Sequence, residues 1–500
     1  PPVDGEYAFR AEADTGLRLY LDGKPVIDGW APDGARTGKV TLKKANPAAI
    51  MVMYFFDRGN GGKKAELRLF WTPPGGQEAP VPVTAYAKIV DVPKVSPWKR
   101  IAFDPSFGGA WVLAGDVDGD GEVEIITARN HNSDDVHWTS TVAAYKLNGT
   151  LLWSWGKPGS GRAGLHHDVA CQIHDWNGDG RLEVVVAEAA HLVVLEGATG
   201  RELRRIPLPD PKANLSDCLT FCDLRGVGRR ADVLVKDRYT QIHALDPNGK
   251  VLWHIERPGR AKTAHQPRVH DLDRNGRDEV MAGAVLLNPD GSERWRIGLP
   301  DDILTYEWGH LDCIRLLRDA ARPEDQRLAF TYCGALLLGV MDGTGKVLWT
   351  KRGEHFESID IARVIPGEPD PQIVVDIDIK TMPIGPIPLV VYSQDGRELS
   401  RFHTRYSRVH RPIRWRSGDV ADIVVSGARM IYSGFGEPVA ELVVEGADSL
   451  FMAIVCDLTG DGYDDLLIAT STAAYLYRNP RVVQPDRKMP LGSGVNVTLY

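Results

Sequence analysis

Four stretches of the chain repeat one pattern of oxygen donors: Asp116-Val-Asp118-Gly-Asp120-Gly-Glu-Val-Glu124, Asp175-Trp-Asn177-Gly-Asp179-Gly-Arg-Leu-Glu183, Asp271-Leu-Asp273-Arg-Asn275-Gly-Arg-Asp-Glu279 and Asp457-Leu-Thr459-Gly-Asp461-Gly-Tyr-Asp-Asp465. Donors at the first, third, fifth and ninth positions, with glycines that let the loop coil, suit a hard cation needing several oxygens at about 2.3–2.6 Å. The expected ion is Ca2+. Every donor comes from one local loop, so the ion is expected to staple structure rather than do chemistry. Asp223-Leu-Arg225-Gly-Val-Gly has lost its acids and is expected to bind nothing, and the loops around Glu368 and Gly418 are degraded too.

Histidines recur at another phase of the same pattern. His166 and His167 precede "DVACQIHD", His265 precedes "QPRVHDLD", His310 precedes "LDCIRLL" and His355 precedes "FESIDIARV". His410 falls near the corresponding place, and Asp217 holds it in "SDCLTFCD". One such imidazole alone reads as a satisfied structural residue. Several at one phase, among 14 in the chain, read as a site for proton transfer or for a divalent metal such as Zn, Mn or Ca. His166, His167, His265, His310, His355 and Tyr306 are the candidate catalytic residues. Arg162, Lys262, Glu307, Trp308, Glu354, Tyr406, Arg408 and His410 flank them as candidate substrate contacts. Cations there could clamp a sugar carboxylate, and aromatic faces could stack on a pyranose; the alternative for each is a solvated loop side chain. A second cluster, His131, Asp134, Asp135, His137 and Trp138, occupies an insertion that either overhangs the same mouth or is an ordinary polar loop.

The elements that must position these groups form a repeat. From about residue 100, a unit of roughly 45 to 60 residues recurs. An apolar strand ending in Asp leads into the Asp/Gly loop and then into a β-rich run such as Glu183-Val-Val-Val-Ala. Another strand follows, then a turn such as Asn148-Gly149, Asn248-Gly249 or Asp290-Gly291, and a strand carrying Trp153, Trp253, Trp295 or Trp349 closes the unit. First strands near residues 110, 166, 217, 265, 310, 355, 410 and 449 make eight units. Four short strands cannot bury both faces alone, whereas radial packing of units does. The expectation is an all-β fold, a β-propeller of about eight blades over residues 96–500, with a linear solenoid as the alternative. A propeller would carry the histidines to one mouth of its channel, opposite the Asp loops.

Residues 1–95 read differently. Tyr7-Ala-Phe-Arg-Ala, Leu17-Arg-Leu-Tyr-Leu and Ala65-Glu-Leu-Arg-Leu-Phe-Trp alternate apolar and polar residues as half-buried antiparallel strands do, and Asp22-Gly23 and Asn60-Gly-Gly62 supply turns. Pro93-Lys-Val-Ser-Pro97 reads as a linker.

Across all 500 residues, 43% hydrophobic and 25% charged content predict a soluble globular chain, and 51 Gly with 33 Pro predict many tight turns. A net charge of −8 argues against a general affinity for nucleic acid or anionic membrane. No apolar run reaches the roughly 18 residues that span a bilayer. The chain opens at Pro1-Pro2 without an initiator Met, as expected of a mature or trimmed product. Cys171, Cys218, Cys222, Cys313 and Cys456 fall in apolar strands as buried thiols, with a bridge from Cys218 to another first-strand cysteine as the alternative.

Two resemblances follow. "GEYAFRAEADTGLRLYLDGKPVIDGW" and "AELRLFWTPPG" resemble the C-terminal part of a PA14 domain, which implies a β-sandwich that often binds glycans. "AGDVDGDGEVEIITARN", "VAAYKLNGTLLWSW", "RAGLHHDVACQIHDWNGDGRLEVVVAEA", "AHQPRVHDLDRNGRDEVMAGAVLLNPDG" and "WGHLDCIRLL" resemble, in the same order, the family 11 polysaccharide lyases, the rhamnogalacturonan lyases, with blade loops of the FG-GAP/VCBS type. That resemblance implies an eight-bladed propeller, calcium ions and β-elimination at a uronic acid. His167, His355 and the degraded loops depart from the family pattern.

Elimination needs a neutralised uronate carboxylate, a base for its α-proton and an acid for the leaving oxygen. The expected players are Arg162 or Lys262 at the carboxylate, His265 or His167 as base, and His310 or Tyr306 near the leaving group. The competing classes are a non-catalytic extracellular glycan-binding or adhesion protein and a metal-dependent carbohydrate-modifying enzyme of another reaction type. The expected location is secreted, periplasmic or cell-surface, and the expected partner is a polysaccharide or oligosaccharide.

Overall fold

A computed structural model describes residues 1–13, 16–22, 24–30, 36–44, 48, 50–54, 67–82, 92–133, 136–164, 169–378, 387–404, 409–416, 418–445 and 452–480. They are all-β apart from one helical turn, Asp301–Leu304, and short 3-10 turns. Among the described residues no helix is long and apolar enough to cross a membrane. The chain divides into two compact units, one over Pro1–Val92 and the other over Pro93–Asp378 and Ile387–Tyr500.

In the first unit, period-two alternation in Gly5–Ala13 buries Tyr7, Phe9 and Ala11 on one face. Gly5–Ala13 pairs with Thr37–Leu42 and Leu67–Thr72, while Leu17–Leu21 pairs with Lys24–Gly29 and Ile50–Tyr54. Both sheets feed one core that includes Leu17, Leu19, Ile27 and Trp71.

The second unit is a succession of eight antiparallel sheets, numbered here 1 to 8, whose first strands are Trp111–Gly115, Cys171–His174, Cys218–Cys222, Thr263–His270, His310–Arg318, Phe356–Ala362, His410–Ile413 and Met452–Cys456. Four strands in chain order build each of sheets 1 to 6. Sheet 7 adds Lys94–Val95 in parallel to its fourth strand, and sheet 8 takes its fourth strand, Lys99–Ala102, from the start of the unit. Each first strand packs against the first strand of the next sheet, and Met452–Cys456 packs against Trp111–Gly115.

Neighbouring sheets are also joined at their outer strands. The indole N–H of Trp153 donates to Gly197 O at 2.7 Å, Trp253 to Pro289 O at 3.0 Å, Trp295 to Gly343 O at 2.9 Å and Trp349 to Gln394 O at 2.7 Å. Each ring lies under a turn glycine of the next sheet: Gly200, Gly291, Gly345 or Gly396. At Gly345, φ is +83° and an added Cβ would sit 2.6 Å from Trp295, so glycine serves both the left-handed turn and the close approach. All six cysteines are free thiols.

Candidate functional site

The Asp loops join the first and second strands of their sheets, and the residue opening the second strand is buried. In the first loop, Asp116 accepts the amides of Gly119 at 2.7 Å and Gly121 at 3.0 Å, and Glu124 Oε2 accepts Val117 N at 3.0 Å. Burial, and then the charge of Asp118, push Glu124 up to about 7. Lys146 Nζ lies 2.7 Å from Asp118 and 4.0 Å from the second oxygen of Glu124, which accepts no hydrogen bond. Arg294 does the same in the third loop, 2.7 Å from Glu279 and 2.8 Å from Asp273. Asp116, Asp118 and Glu124, like Asp271, Asp273 and Glu279, gather ligand atoms within 4.8 Å. Converging carboxylate oxygens around a buried glutamate fit a hard divalent cation. Asp175, Asn177, Asp179 and Glu183 coil alike, with Asn177 donating to Glu183 at 2.7 Å; in the last loop Thr459 donates to Asp465 at 3.1 Å, and Asp461 accepts Tyr463 N at 3.0 Å. Where the acids are lost, an arginine stands in: Arg225 pairs with Asp232 at 2.7 Å and Arg416 with Asp422 at 2.6 Å.

Among the described residues, the candidate histidines His265, His310, His355 and His410 lie toward the opposite ends of the first strands. His265 of sheet 4, His310 at the start of sheet 5 and His355 just before sheet 6 come together around Asp312. His310 Nε2 lies 3.0 Å from His265 Nε2 and 3.0 Å from Asp312 Oδ1, which is 3.3 Å from His265 Nε2. His310 Nδ1 meets Trp308 O at 3.1 Å, an acceptor-only partner that orients the ring and turns Nε2 toward the cluster. Burial, then the charges of Arg238 and Lys262, pull His310 down to about 3. It is a neutral imidazole throughout the ordinary pH range.

Cations and aromatic rings flank this cluster. Tyr239 packs against His310 and His265 with ring centroids 4.7 and 5.6 Å away. Lys262 Nζ sits 4.9 Å from the Tyr239 ring and 5.6 Å from the Trp308 ring, and Arg238 lies over Tyr239 at 5.1 Å. Trp308 is 65% exposed and Tyr306 49%. A pocket of about 280 Å³ is lined by Arg257, Arg260, Lys262, Tyr306 and Glu307 among others. Asp217, immediately before the first strand of sheet 3, is surrounded by His137 at 2.9 Å, Lys236 at 3.0 Å and Arg238 at 3.5 Å. Burial opposes its ionisation, but Lys236, His137 and Arg238 outweigh burial and hold it far below the usual carboxylate range.

Other candidates stand apart. His410 is fully buried between Asp360 at 2.9 Å and Asp376 at 3.5 Å, out of reach of any solute. Glu354 is held by both terminal nitrogens of Arg401, at 2.7 and 3.0 Å. Arg162 is exposed and bridges Asn130 through its backbone. Of the insertion, His137 reaches Asp217 and His131 stacks on Trp138 at 3.8 Å. His166, His167, Tyr406, Arg408, Asp134 and Asp135 lie outside the described residues.

Sequence reasoning passed over Asp312, Glu357, Cys333, Arg238 and Tyr239. A signal existed for two of them. Asp312 and Glu357 follow His310 and His355 by two residues, the spacing that returns a strand's side chains to the same face.

Residues 1–85 match the PA14 domain, and residues 106–203 match the rhamnogalacturonan lyase family 11 C-terminal domain. The chain is similar to two rhamnogalacturonan lyases of Bacillus subtilis (strain 168). It is 27% identical to the exolyase YesX, over 46% of this chain and 48% of YesX, and 24% identical to the endolyase YesW, over 52% of this chain and 49% of YesW. The chain thus spans about half the length of the curated relatives it matches. Among solved structures, the Bacillus licheniformis rhamnogalacturonan lyase PL11 superposes with a TM-score of 0.54 at 17% identity, over 96% of this chain and 88% of that one. That likeness is one of fold.

Proposed function

We propose that this chain is a polysaccharide lyase that cleaves a uronic-acid-containing glycan of the rhamnogalacturonan type by β-elimination. In this reading the eight sheets are the blades of a propeller, and the His265–His310–Asp312 cluster lies in its central mouth. The first strands in contact from sheet to sheet, with sheet 8 against sheet 1, support the radial arrangement. The sequence match to rhamnogalacturonan lyases supports the reaction class.

The observation that carries the reading is the convergence of two buried imidazoles on one carboxylate beside Lys262, Arg238 and the faces of Tyr239 and Trp308. Lys262 and Arg238 neutralise the uronate carboxylate and so acidify the neighbouring C–H. His265, oriented by Asp312, takes that proton, and Tyr306 supports the departing oxygen. His310, held neutral, positions His265 rather than donating a proton. The Asp loops hold Ca2+, which stiffens the sheets at the far ends of their first strands. The PA14-like unit, residues 1–95, serves glycan recognition, and the protein works outside the cytoplasm.

The test is incubation with rhamnogalacturonan and polygalacturonate while following the ultraviolet absorbance of the unsaturated product. Turnover abolished in His265→Ala and His310→Ala supports the site. Full activity in both variants refutes it. Tight glycan binding without turnover by the wild type would mark a recognition protein instead.

A further inference from the structure

One side of this cluster carries chemistry that elimination does not use. Cys333 ends the second strand of sheet 5, Arg327–Cys333, and its Sγ lies 3.2 Å from His355 Nε2. Asp312 presents one oxygen to His265 and His310 and the other to His355 Nε2, at 4.0 Å. Glu357 Oε1 lies 3.8 Å from the same nitrogen, and Asp378 Oδ2 lies 3.6 Å from His355 Nδ1. Ligand atoms of Asp312, Cys333 and His355 all fall within 4.8 Å of one another.

We propose that Cys333, His355 and Asp312 bind one transition-metal ion of the zinc class through a thiolate, an imidazole and a carboxylate. The donor set is the first argument. A thiolate with an imidazole selects borderline-soft ions such as zinc, whereas calcium and magnesium prefer oxygen alone. Spacing is the second. Tetrahedral zinc with bonds of about 2.0–2.3 Å places its ligand atoms roughly 3.3–3.6 Å apart. The separations of 3.2 and 4.0 Å bracket that edge, so small side-chain adjustments close the site. Charge is the third. Asp312, Glu357 and Asp378 bring three largely buried carboxylates to one imidazole, and a divalent cation offsets that concentration of negative charge. Asp378 beside His355 Nδ1 is the outer partner that metal-bound histidines commonly have, fixing which nitrogen faces the ion. His265 stays available as the base, with Asp312 shared between the two halves.

The site is tested by metal binding, independently of any glycan activity. Full-length protein, stripped with chelator and titrated with Zn2+ or Co2+ alone, is expected to bind one equivalent that remains when excess Ca2+ saturates the Asp loops. The cobalt form is expected to show thiolate-to-metal charge-transfer absorption in the near ultraviolet. Cys333→Ser removes that absorption and weakens zinc binding by roughly tenfold or more, as does His355→Ala. Zinc also slows alkylation of Cys333 by iodoacetamide. Wild-type protein whose cobalt form lacks the charge-transfer band overturns the proposal, whether or not the variants fold. Alkylation at the same rate with and without zinc also overturns it and leaves a thiol–imidazole–carboxylate nucleophile as the explanation of the contact.

Discussion

His410 offers a quantitative test of how the second unit holds together. It opens the first strand of sheet 7, and its partners Asp360 and Asp376 belong to sheet 6, so the ion cluster joins two sheets. Burial alone would lower its pKa, but hydrogen bonds and charge from Asp360 and Asp376 raise it from 6.5 to about 9. Arg411, 3.5 Å from Asp360, adds a further cation and, against the cost of burial, helps hold Asp360 at about 2. A histidine whose folded pKa exceeds its unfolded value binds more protons in the native state, so stability falls as pH rises between those values. At 1.36 kcal/mol per pKa unit, the shift corresponds to about 3 kcal/mol, fully present below about pH 6.5 and lost by about pH 9.5. His410→Gln removes the titration. The assay is denaturant unfolding of wild type and His410→Gln at pH 6, 7.5 and 9.5, followed by tryptophan fluorescence. At pH 6 the variant is less stable by about 3–5 kcal/mol, because a buried ion cluster has lost one partner. By pH 9.5 the gap has narrowed by about 3 kcal/mol. A gap that stays constant across this range would refute the assignment of a protonated His410.

Removing Ca2+ with a chelator is expected to lower the unfolding midpoint, with a loss of stability of about 2.7 kcal/mol for one site when free ion had been at a hundred times its Kd. Glu279→Gln should blunt that response, and an unchanged melting curve in both would count against the loop sites. Trp308→Ala should leave stability within about 0.5 kcal/mol, since the side chain is exposed, while raising KM by roughly three- to tenfold through a lost stacking face. Gly345→Val should destabilise by about 2 kcal/mol or more, because it adds a branched side chain at φ +83° against Trp295; a wild-type melting temperature would refute the interlocking of sheets 4 and 5.

The strands and the loops between them were legible in the chain because both depend on local rules. Period-two apolarity marks strands such as Cys218–Cys222, and first-strand starts read near residues 217, 265, 310 and 410 fall within two residues of the observed ones. Donor spacing within nine residues is likewise local, so the Asp loops could be read before any packing was known. The functional cluster was legible only in part. Matching repeat phase brings His265, His310 and His355 together, but the same phase takes His410 into a sealed ion pair with Asp360 and Asp376. Phase specifies a place on a strand, not whether a neighbouring side chain closes over it.

By itself, then, the sequence determined the all-β class, the repeating strand order and the oxygen-rich loops, since hydrophobic periodicity and short-range donor spacing act over a few residues. Only the tertiary structure decided that Asp312 joins His265, His310 and His355, that Cys333 faces His355, and that Arg238 and Tyr239 border them. These residues come from four successive sheets, the third to the sixth. Their meeting depends on how whole sheets pack, and no local pattern in the chain encodes those distances.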